Sequence, residues 1–543
     1  MKNILSLTTV LVVAVLSFQN VNAQDSIRKT PFGTLRHDIR CGRHYVQTDK
    51  NNNILPWLSA DLGESYDYTL NLLWKFWDEM PYSHDGTKYY MVHRIWPFTI
   101  RKVNYYAPGE QEDDGIGGDQ IQMMLDSWAK WYAYTGDPKV LDNMIYMADF
   151  YLSKGLSTAT DEWPFLPYPW HSSKKAGFTY DGDLRDGKGV TQIDKAGDFG
   201  FQLINLYKIT GTARYLDAAV MIADVLSSKI KEGDADNSPL PYKVVTKTGK
   251  VLWNNTADWA WTMKMFDALV VMKKGEIEKY KKASLLLQNW IKKYAIPQQK
   301  YGPFFEDISE WSNTGINAGR IAEYILLNSE KWGGSWQQDA RKALDFLCIN
   351  LGNKNWKRFG VTVINEQSAY MYQGNSHTSR DAYVELLYAQ KTGDTSKVQN
   401  SIRQLSWATY SVDHEGRNEY PGDPFSNEIW FTDGYGDFVT HYLNAMAILP
   451  EKLTPSDKDH LLGTTSVISN IEYKPDEIYF TTYDGASTEV LRLTSKPKSL
   501  TVNEKIINES KDISGEGWTW KPLDKGGVLR VCHANGNKVL IKK

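Results

Sequence analysis

Six short stretches of this 543-residue chain put an acidic or amide side chain where a helix reads as starting. They are Asp119 in "GGDQ", Asp198 in "AGDF", Asp258 in "TADW", Asn317 in "GINAGR", Asp381 in "SRDA" and Asp437 in "GYGDF". The segments leading into them carry groups that move protons or hold anions: His93 and Arg94, Trp170 and His171 with Lys174 and Lys175, Trp253 with Asn254 and Asn255, His377 with Arg380, and Tyr435. One chemistry that such a set can run is β-elimination from a uronic acid. The carboxylate must be neutralised by cations or amides, a base must take the neighbouring proton, and an acid must protonate the leaving oxygen. His171 or His377 would be the base and Tyr435 the acid. Arg94, Arg380 and Asn255 would hold the carboxylate, and Asp119 and Asp258 would bind or polarise sugar hydroxyls. His93, Trp170, Trp253, Asn254, Asp198 and Asp437 complete the substrate-binding set.

Hydrolysis of a glycosidic bond is the alternative. It needs an acid and a base carboxylate across the bond, and Asp119, Asp198, Asp258, Glu428, Asp433 and Asp437 offer the groups. A non-catalytic glycan binder is a third class, one that does not require so many titratable side chains. Each residue also has an ordinary explanation. Asp at a helix start accepts backbone N–H bonds and suits the helix dipole, Lys174 and Lys175 fit a solvated turn, and Asn254 and Asn255 fit loop hydrogen bonding.

The elements that must position these groups repeat. "YAYTGDPKVLDNMIYMADFYL" from Tyr132, "YKITGTARYLDAAVMIADVL" from Tyr207 and "YAQKTGDTSKVQNSIRQLSWA" from Tyr388 each read as a helix end, a Thr-Gly turn and a second amphipathic helix. Glycine suits the left-handed residue that closes a helix. Two degenerate copies, "VMKKGEIEKYKKASLLLQNWI" and "NSEKWGGSWQQDARKALDFL", lie between them. Five pairs, an unpaired helix from Glu64 to Met80 and a last one from Asp437 make twelve. That number predicts a mainly α chain with an (α/α)6 toroid over 61–450, closed by its two orphan helices. The loops before the inner helices are long and rich in Trp, Tyr, His, Asn and Asp. The Thr-Gly turns on the opposite face are short, so the binding surface belongs on the long-loop face. Beyond Pro450, alternation and Gly/Asn turns predict a small β-sandwich-like region over 451–543, ending in the strand "KVLIKK".

The Thr-Gly repeat resembles that of the six-hairpin glycosidase-like superfamily, which includes unsaturated glucuronyl hydrolases; related toroids occur in polysaccharide lyases and uronate dehydratases. The resemblance spans roughly residues 60 to 450 and is architectural, so it carries no catalytic residue across. It implies a carbohydrate-active enzyme, and the added β-region is closer to the lyase arrangement than to the short hydrolases. A carbon–oxygen lyase or dehydratase is the first expectation and a glycoside hydrolase the second.

The start "MKNILSLTTVLVVAVLSFQNVNA" reads as a cleavable signal peptide over 1–23 with no lipidation Cys, followed by an extension over 24–60. The expected location is periplasmic or secreted, with no membrane anchor, and an exported chain does not meet the substrates of isoprenoid cyclases. A net charge of −3 gives no nucleic-acid footprint. An excess of 20 Trp and 32 Tyr over 18 Phe suits sugar platforms, and equally suits filling a helical core. Three scattered Cys give no disulfide framework: Cys348 reads as a buried helical thiol, and a Cys41–Cys532 bridge has no support from spacing. "DGDLRDG" at 181–187 resembles a calcium loop but is one residue off register and lacks the closing Glu, so a turn is expected and no cofactor. There is no HExxH, phosphate loop, dinucleotide fingerprint or GxSxG elbow. The expected partner is an acidic oligosaccharide.

Overall fold

The computed structural model describes residues 27–30, 33–79, 82, 115–116, 120–171, 175–176, 189–305, 312–421, 429–431 and 437–543. The signal-peptide reading and the 181–187 turn therefore lie outside the described residues.

Among the described residues, twelve long helices follow in chain order: α1 Leu62–Asp78, α2 Gln120–Thr135, α3 Pro138–Lys154, α4 Ile193–Thr210, α5 Ala213–Lys229, α6 Ala260–Met272, α7 Ile277–Trp290, α8 Gly315–Leu327, α9 Trp336–Asn350, α10 Asn375–Thr392, α11 Val398–Ala408 and α12 Asp437–Ile448. Contacts run α2–α4–α6–α8–α10–α12 and back to α2, which closes an inner ring of six. The odd-numbered helices stand outside. As predicted, α1 completes the circuit. Its Tyr66 hydroxyl donates to the Ile402 carbonyl at the α11 end of the gap (3.2 Å), and its Trp74 donates to Asp137 at the α3 end (3.1 Å). The chain is an (α/α)6 toroid.

The turns behave as their glycines predict. Gly136, Gly211 and Gly393 all take positive φ, and the Gly211 N–H closes α4 on the Tyr207 carbonyl at 2.7 Å. The degenerate copies find other solutions: α6 ends on Lys273 in the left-handed conformation, and a short helix Ser329–Trp332 stands between α8 and α9. Seven tryptophans fill the ring wall with almost no exposure: Trp77, Trp128, Trp131, Trp259, Trp332, Trp356 and Trp407. For these the core-filling reading of the aromatic excess holds.

The extension ahead of α1 carries a four-stranded antiparallel meander: β1 Ile27–Thr30, β2 Gly33–Cys41, β3 His44–Thr48 and β4 Ile54–Leu55. Tyr410 pins it beyond the end of α11, accepting from the Gln47 N–H and donating to the Leu55 carbonyl, both at 2.8 Å. After the toroid come nine strands: β5 His460–Thr464, β6 Ile468–Tyr473, β7 Glu477–Thr482, β8 Ser487–Leu493, β9 Ser499–Val502, β10 Lys505–Ile507, β11 Gly517–Pro522, β12 Gly527–His533 and β13 Lys538–Lys542. They form two antiparallel sheets, ordered β5-β8-β12-β11 and β6-β7-β13-β9-β10. Their inward residues, among them Phe480, Leu491, Val531 and Ile541, join the toroid in one continuous apolar core.

The face that carries the Thr-Gly turns is not bare. β5 and β6 lie against the C-terminal ends of α2, α4 and α12. There the His460 ring stacks on Tyr134 (3.8 Å, 3°), and Tyr473 donates to the Ala133 carbonyl at 2.7 Å. All three cysteines are free, Cys41 and Cys532 included, and Cys348 is half-buried rather than buried.

Inner helices α4 and α6 approach each other closely. A Cβ on Gly197 would fall 2.0 Å from the Thr262 hydroxyl and 2.7 Å from its Cβ, so this approach requires glycine. Alanine favours a helix over glycine by about 1 kcal/mol, yet Gly197→Ala is expected to lower stability by about 1–3 kcal/mol through overpacking. Urea unfolding of the two proteins measures this, and an unchanged or raised midpoint would mean that the α4–α6 spacing yields.

Candidate active site in the toroid mouth

The close approach of α4 and α6 places charges at the N-terminal ends of the inner helices. From α4 come Asp194, Lys195 and Asp198, from the turn before α6 comes Asp258, and from α8 comes Arg320; none is more than 2% exposed. Lys195 donates to Asp194 at 2.9 Å and to Asp258 at 3.2 Å. Arg320 Nη1 donates to Asp198 Oδ2 at 2.7 Å and to both Asp258 oxygens at 3.1 and 2.9 Å. Aromatic faces supply the remaining shell. Lys195 Nζ stands 3.2 Å from the Phe304 ring centroid and the Arg320 guanidinium 4.1 Å from that of Trp261. Charges this deep persist only when paired. Some polar valence is still unused: among the described residues, Asp198 Oδ1, Asp194 Oδ1, and Arg320 Nε and Nη2 have no hydrogen-bond partner.

The carboxylates do not share one protonation state. Burial, and then the charge of Asp258, push Asp198 well above the usual carboxylate range. Burial raises Asp194 to about 6 against the pull of Lys195. Burial also works against the charge of Asp258, but Arg320 and Lys195 outweigh it and hold that group low. The cluster therefore keeps a proton beside a persistent carboxylate.

Two neighbouring helices add a second constellation. Arg380 on α10 donates to Asp437 on α12, and its stem lies over Gly319 of α8, where a Cβ would meet it at 2.7 Å. His441, one turn beyond Asp437, has Nε2 3.6 Å from the Asp437 carboxylate and Nδ1 2.9 Å from the Ser379 hydroxyl. His377, at the start of α10, is buried with Nδ1 unpartnered among the described residues, and its ring faces Phe305 at 6.3 Å. Burial, and then the Arg380 charge, lower His377 to about 3, so the imidazole is neutral. A void of about 20 Å³, large enough for a water molecule, joins the two constellations between Arg320, Arg380, Asp437 and His441.

The segment 302–305 sits across this mouth and is held from four sides. The Pro303 carbonyl accepts from Thr256 (2.7 Å) and from the Asn317 amide (3.1 Å), and the Phe304 carbonyl accepts from Tyr242 (2.7 Å) and Gln192 (3.3 Å). Phe304 and Phe305 form a separate apolar cluster with Met123 and Ile316.

The predicted residues divide accordingly. Asp198, Asp258, His377, Arg380 and Asp437 come together. Neither Asp198 nor Asp258 is a cap. Asp198 stands in the second turn of α4, Asp258 precedes α6, and their oxygens serve cations instead of backbone N–H groups. Asp381 does not join them. It accepts from Gln404 of the outer helix α11, beside Glu385, whose oxygens Arg341 occupies at 2.8 and 2.6 Å. Cys348, Asp381 and Glu385 converge as a metal site might, but that guanidinium already fills the Glu385 valence.

Trp253, Asn254 and Asn255 line a separate rim depression of about 380 Å³ with Asp236, Asn237 and Lys300. The Asn255 amide donates to the Asp236 carbonyl rather than standing with Arg380. Trp170 and His171 form a short strand between Gly115–Ile116 and Lys175–Ala176, which ties the approach to α2 to the next loop. His93, Arg94, Asp119, Glu428, Asp433 and Tyr435 lie outside the described residues.

Sequence reasoning missed Asp194, Lys195, Arg320, Ser379 and His441. A signal existed: Asp194/Asp198, Asn317/Arg320 and Asp437/His441 each repeat a polar side chain one turn on, within helices whose neighbours are apolar.

No protein-family model matches the sequence, and no curated protein matches it. Solved structures do match the fold. A sugar epimerase from a ruminal bacterium aligns over 71% of this chain and 98% of its own, at 11% identity and a TM-score of 0.51. The cellobiose 2-epimerase of Bacillus thermoamylovorans B4167 aligns over 69% and 98%, at 14% identity and a TM-score of 0.50. An unsaturated glucuronyl hydrolase specific for heparin covers 73% of this chain and 99% of its own, at 10% identity and a TM-score of 0.45. They are (α/α)6 toroids, and the likeness is one of fold.

The mouth imposes a pH dependence on stability. The unfolded chain takes up a proton at His377 near the ordinary value of 6.5, whereas the native imidazole refuses it until about 3. This contribution is present in full above pH 6.5 and is lost progressively as pH falls from there toward about 3. By pH 5 the loss is about 2 kcal/mol for one such group. His377→Asn is expected to flatten the urea-stability slope between pH 7 and 5 by about that amount, and parallel slopes for the two proteins would contradict a buried neutral imidazole.

Proposed function

We propose that this protein is a carbohydrate-active enzyme that acts on an anionic, uronic-acid-containing oligosaccharide or polysaccharide by β-elimination. The observation that carries the reading is a neutral imidazole, His377, set in the same mouth as three buried cations, Lys195, Arg320 and Arg380. A carboxylate entering there exchanges places with Asp198 or Asp437 on a guanidinium. Its charge, brought beside His377, raises the proton affinity of the ring. His377 then takes the proton from the carbon next to the carboxylate, while the cations stabilise the charge that develops on the carboxylate oxygens. The carbon–oxygen bond one carbon further breaks, a carbon–carbon double bond forms, and the leaving oxygen receives a proton. Tyr435 is the donor first proposed for it, and Asp198, kept protonated by burial, is a second. The rim depression at Trp253, with Asn237, Asn254 and Lys300, suits a further sugar unit.

One observation favours hydrolysis as the second reading. Asp198 is pushed up and Asp258 held down, the division of an acid and its partner. Both carboxylates bind one guanidinium nitrogen, at 2.7 and 2.9 Å. Sharing one nitrogen brings their bonded oxygens closer than the roughly 6.5–9.5 Å between carboxyl groups of inverting enzymes, which favours the retaining arrangement.

The deciding experiment follows ultraviolet absorbance while the purified protein meets uronic-acid oligosaccharides. Elimination produces a double bond conjugated to a carboxylate and a rising signal. His377→Ala is expected to lower kcat by about 10²–10⁴-fold with KM little changed. A near-wild-type rate in that variant removes His377 as the base. New reducing ends with a flat absorbance trace overturn elimination in favour of hydrolysis, in which case Asp198→Asn and Asp258→Asn become the inactivating changes.

A further inference from the structure

The opposite end of the ring holds a larger cavity. Between the C-terminal turns of the inner helices and the strands β5 and β6 lies a chamber of about 460 Å³, within the range of small-molecule sites. Its helix wall carries Lys130, Asn205, Lys208, Lys264 and Asn444, and its β wall the Thr464–Ser466 turn and Asp484.

The charges in this wall are unequally matched. Lys130 bonds to Asp126 at 3.1 Å and also to Thr440. Lys264 bonds to Glu323 at 3.0 Å, and Glu323 accepts from Tyr383 as well, at 3.0 Å. Asp484 accepts from the Ser466 hydroxyl at 2.7 Å. Lys208 differs: its ammonium lies 5.3 Å from the Tyr483 ring centroid, and among the described residues no carboxylate comes within 4.0 Å of it. Burial lowers its proton affinity, only partly opposed by the more distant charge of Asp484. A half-buried cation with no carboxylate in contact, facing a polar chamber, is matched best by one anionic group. Around it are the amides of Asn205 and Asn444, the hydroxyls of Thr464, Thr465 and Ser466, and the half-buried face of Phe201. Amides and hydroxyls pair with hydroxyl groups, and an aromatic face suits the apolar side of a pyranose.

We propose that this chamber is a second binding site, for a small polyhydroxylated carboxylate, a sugar acid of one or two units, with Lys208 as its carboxylate partner. Its lysine stands away from the mouth, although Asp126, Glu323, Tyr383 and Asn444 line both this chamber and the small void beside Arg320. Lys208 lies ten residues beyond Asp198 on α4, about 15 Å along the helix axis. The assignment does not depend on which reaction the mouth runs.

The test is calorimetric titration of the full chain with D-glucuronate, with D-glucose and inorganic phosphate as comparison ligands. Glucuronate is expected to bind at this site, with glucose and phosphate each at least tenfold weaker. Lys208→Met should weaken the glucuronate event at least tenfold, and Lys208→Arg should restore it. Ser466→Trp, which fills the chamber from the β side, should abolish the same event. Thermal melts establish that the variants are folded. Any glucuronate binding at the mouth persists in Lys208→Met and Ser466→Trp, so failure of one site is not mistaken for failure of the other. No binding by wild type, isotherms identical in wild type and both variants, or phosphate binding as tightly as glucuronate would each overturn the proposal.

Discussion

A deeply buried guanidinium organises this molecule. Arg320 projects from the fourth pair of the ring onto Trp261, and Asp198 and Asp258 of the two preceding inner helices close on the same nitrogen. Removing one partner from such a set leaves a buried charge uncompensated, which is far more costly than never having built the set. The small residues of the ring follow from it. Gly197 lets α4 and α6 come near enough for their carboxylates to share one cation, and Gly319 leaves the groove in which Arg380 lies. A wall of larger side chains would pack well and would hold the charges apart.

The same requirement separates the two ends of the ring. At the mouth, burial first and a neighbouring like charge second leave one carboxyl with its proton and one imidazole without. At the back, Lys130 with Asp126 and Lys264 with Glu323 are ordinary ion pairs. Among the described residues, paired charges at the back, Lys208 excepted, and crowded, partly unpartnered ones at the mouth mark the mouth as the candidate reaction site.

Much of the architecture was legible in the sequence because its signals are local. The Thr-Gly turns need only a left-handed glycine and a helix on either side, so twelve helices could be numbered and the ring closed on paper. The alternating strands beyond Pro450 were equally plain. The centre of the site was less so. Lys195 and Arg320 are charged residues within helices, and such residues ordinarily face water; only the closed ring reveals that they point to an axis. Asp381 shows the converse. It occupies the same place at a helix start as Asp198, but every residue of α10 from Asn375 to Tyr388 is buried. With no polar face to set the phase, nothing local tells an inward Asp from one that turns to Gln404. The covering of the back face was likewise invisible, because it depends on where β5 and β6 dock and not on any pattern within them.

That covering has a consequence for traffic. A ring invites the picture of a thread drawn through a bead, but here the hole is stopped at mid-height by interlocked side chains and floored by β5 and β6. The vessel is blind-ended. On the proposed reading, a long polymer would have to offer a terminus or lie across the rim, and a product would leave by the door through which the substrate came.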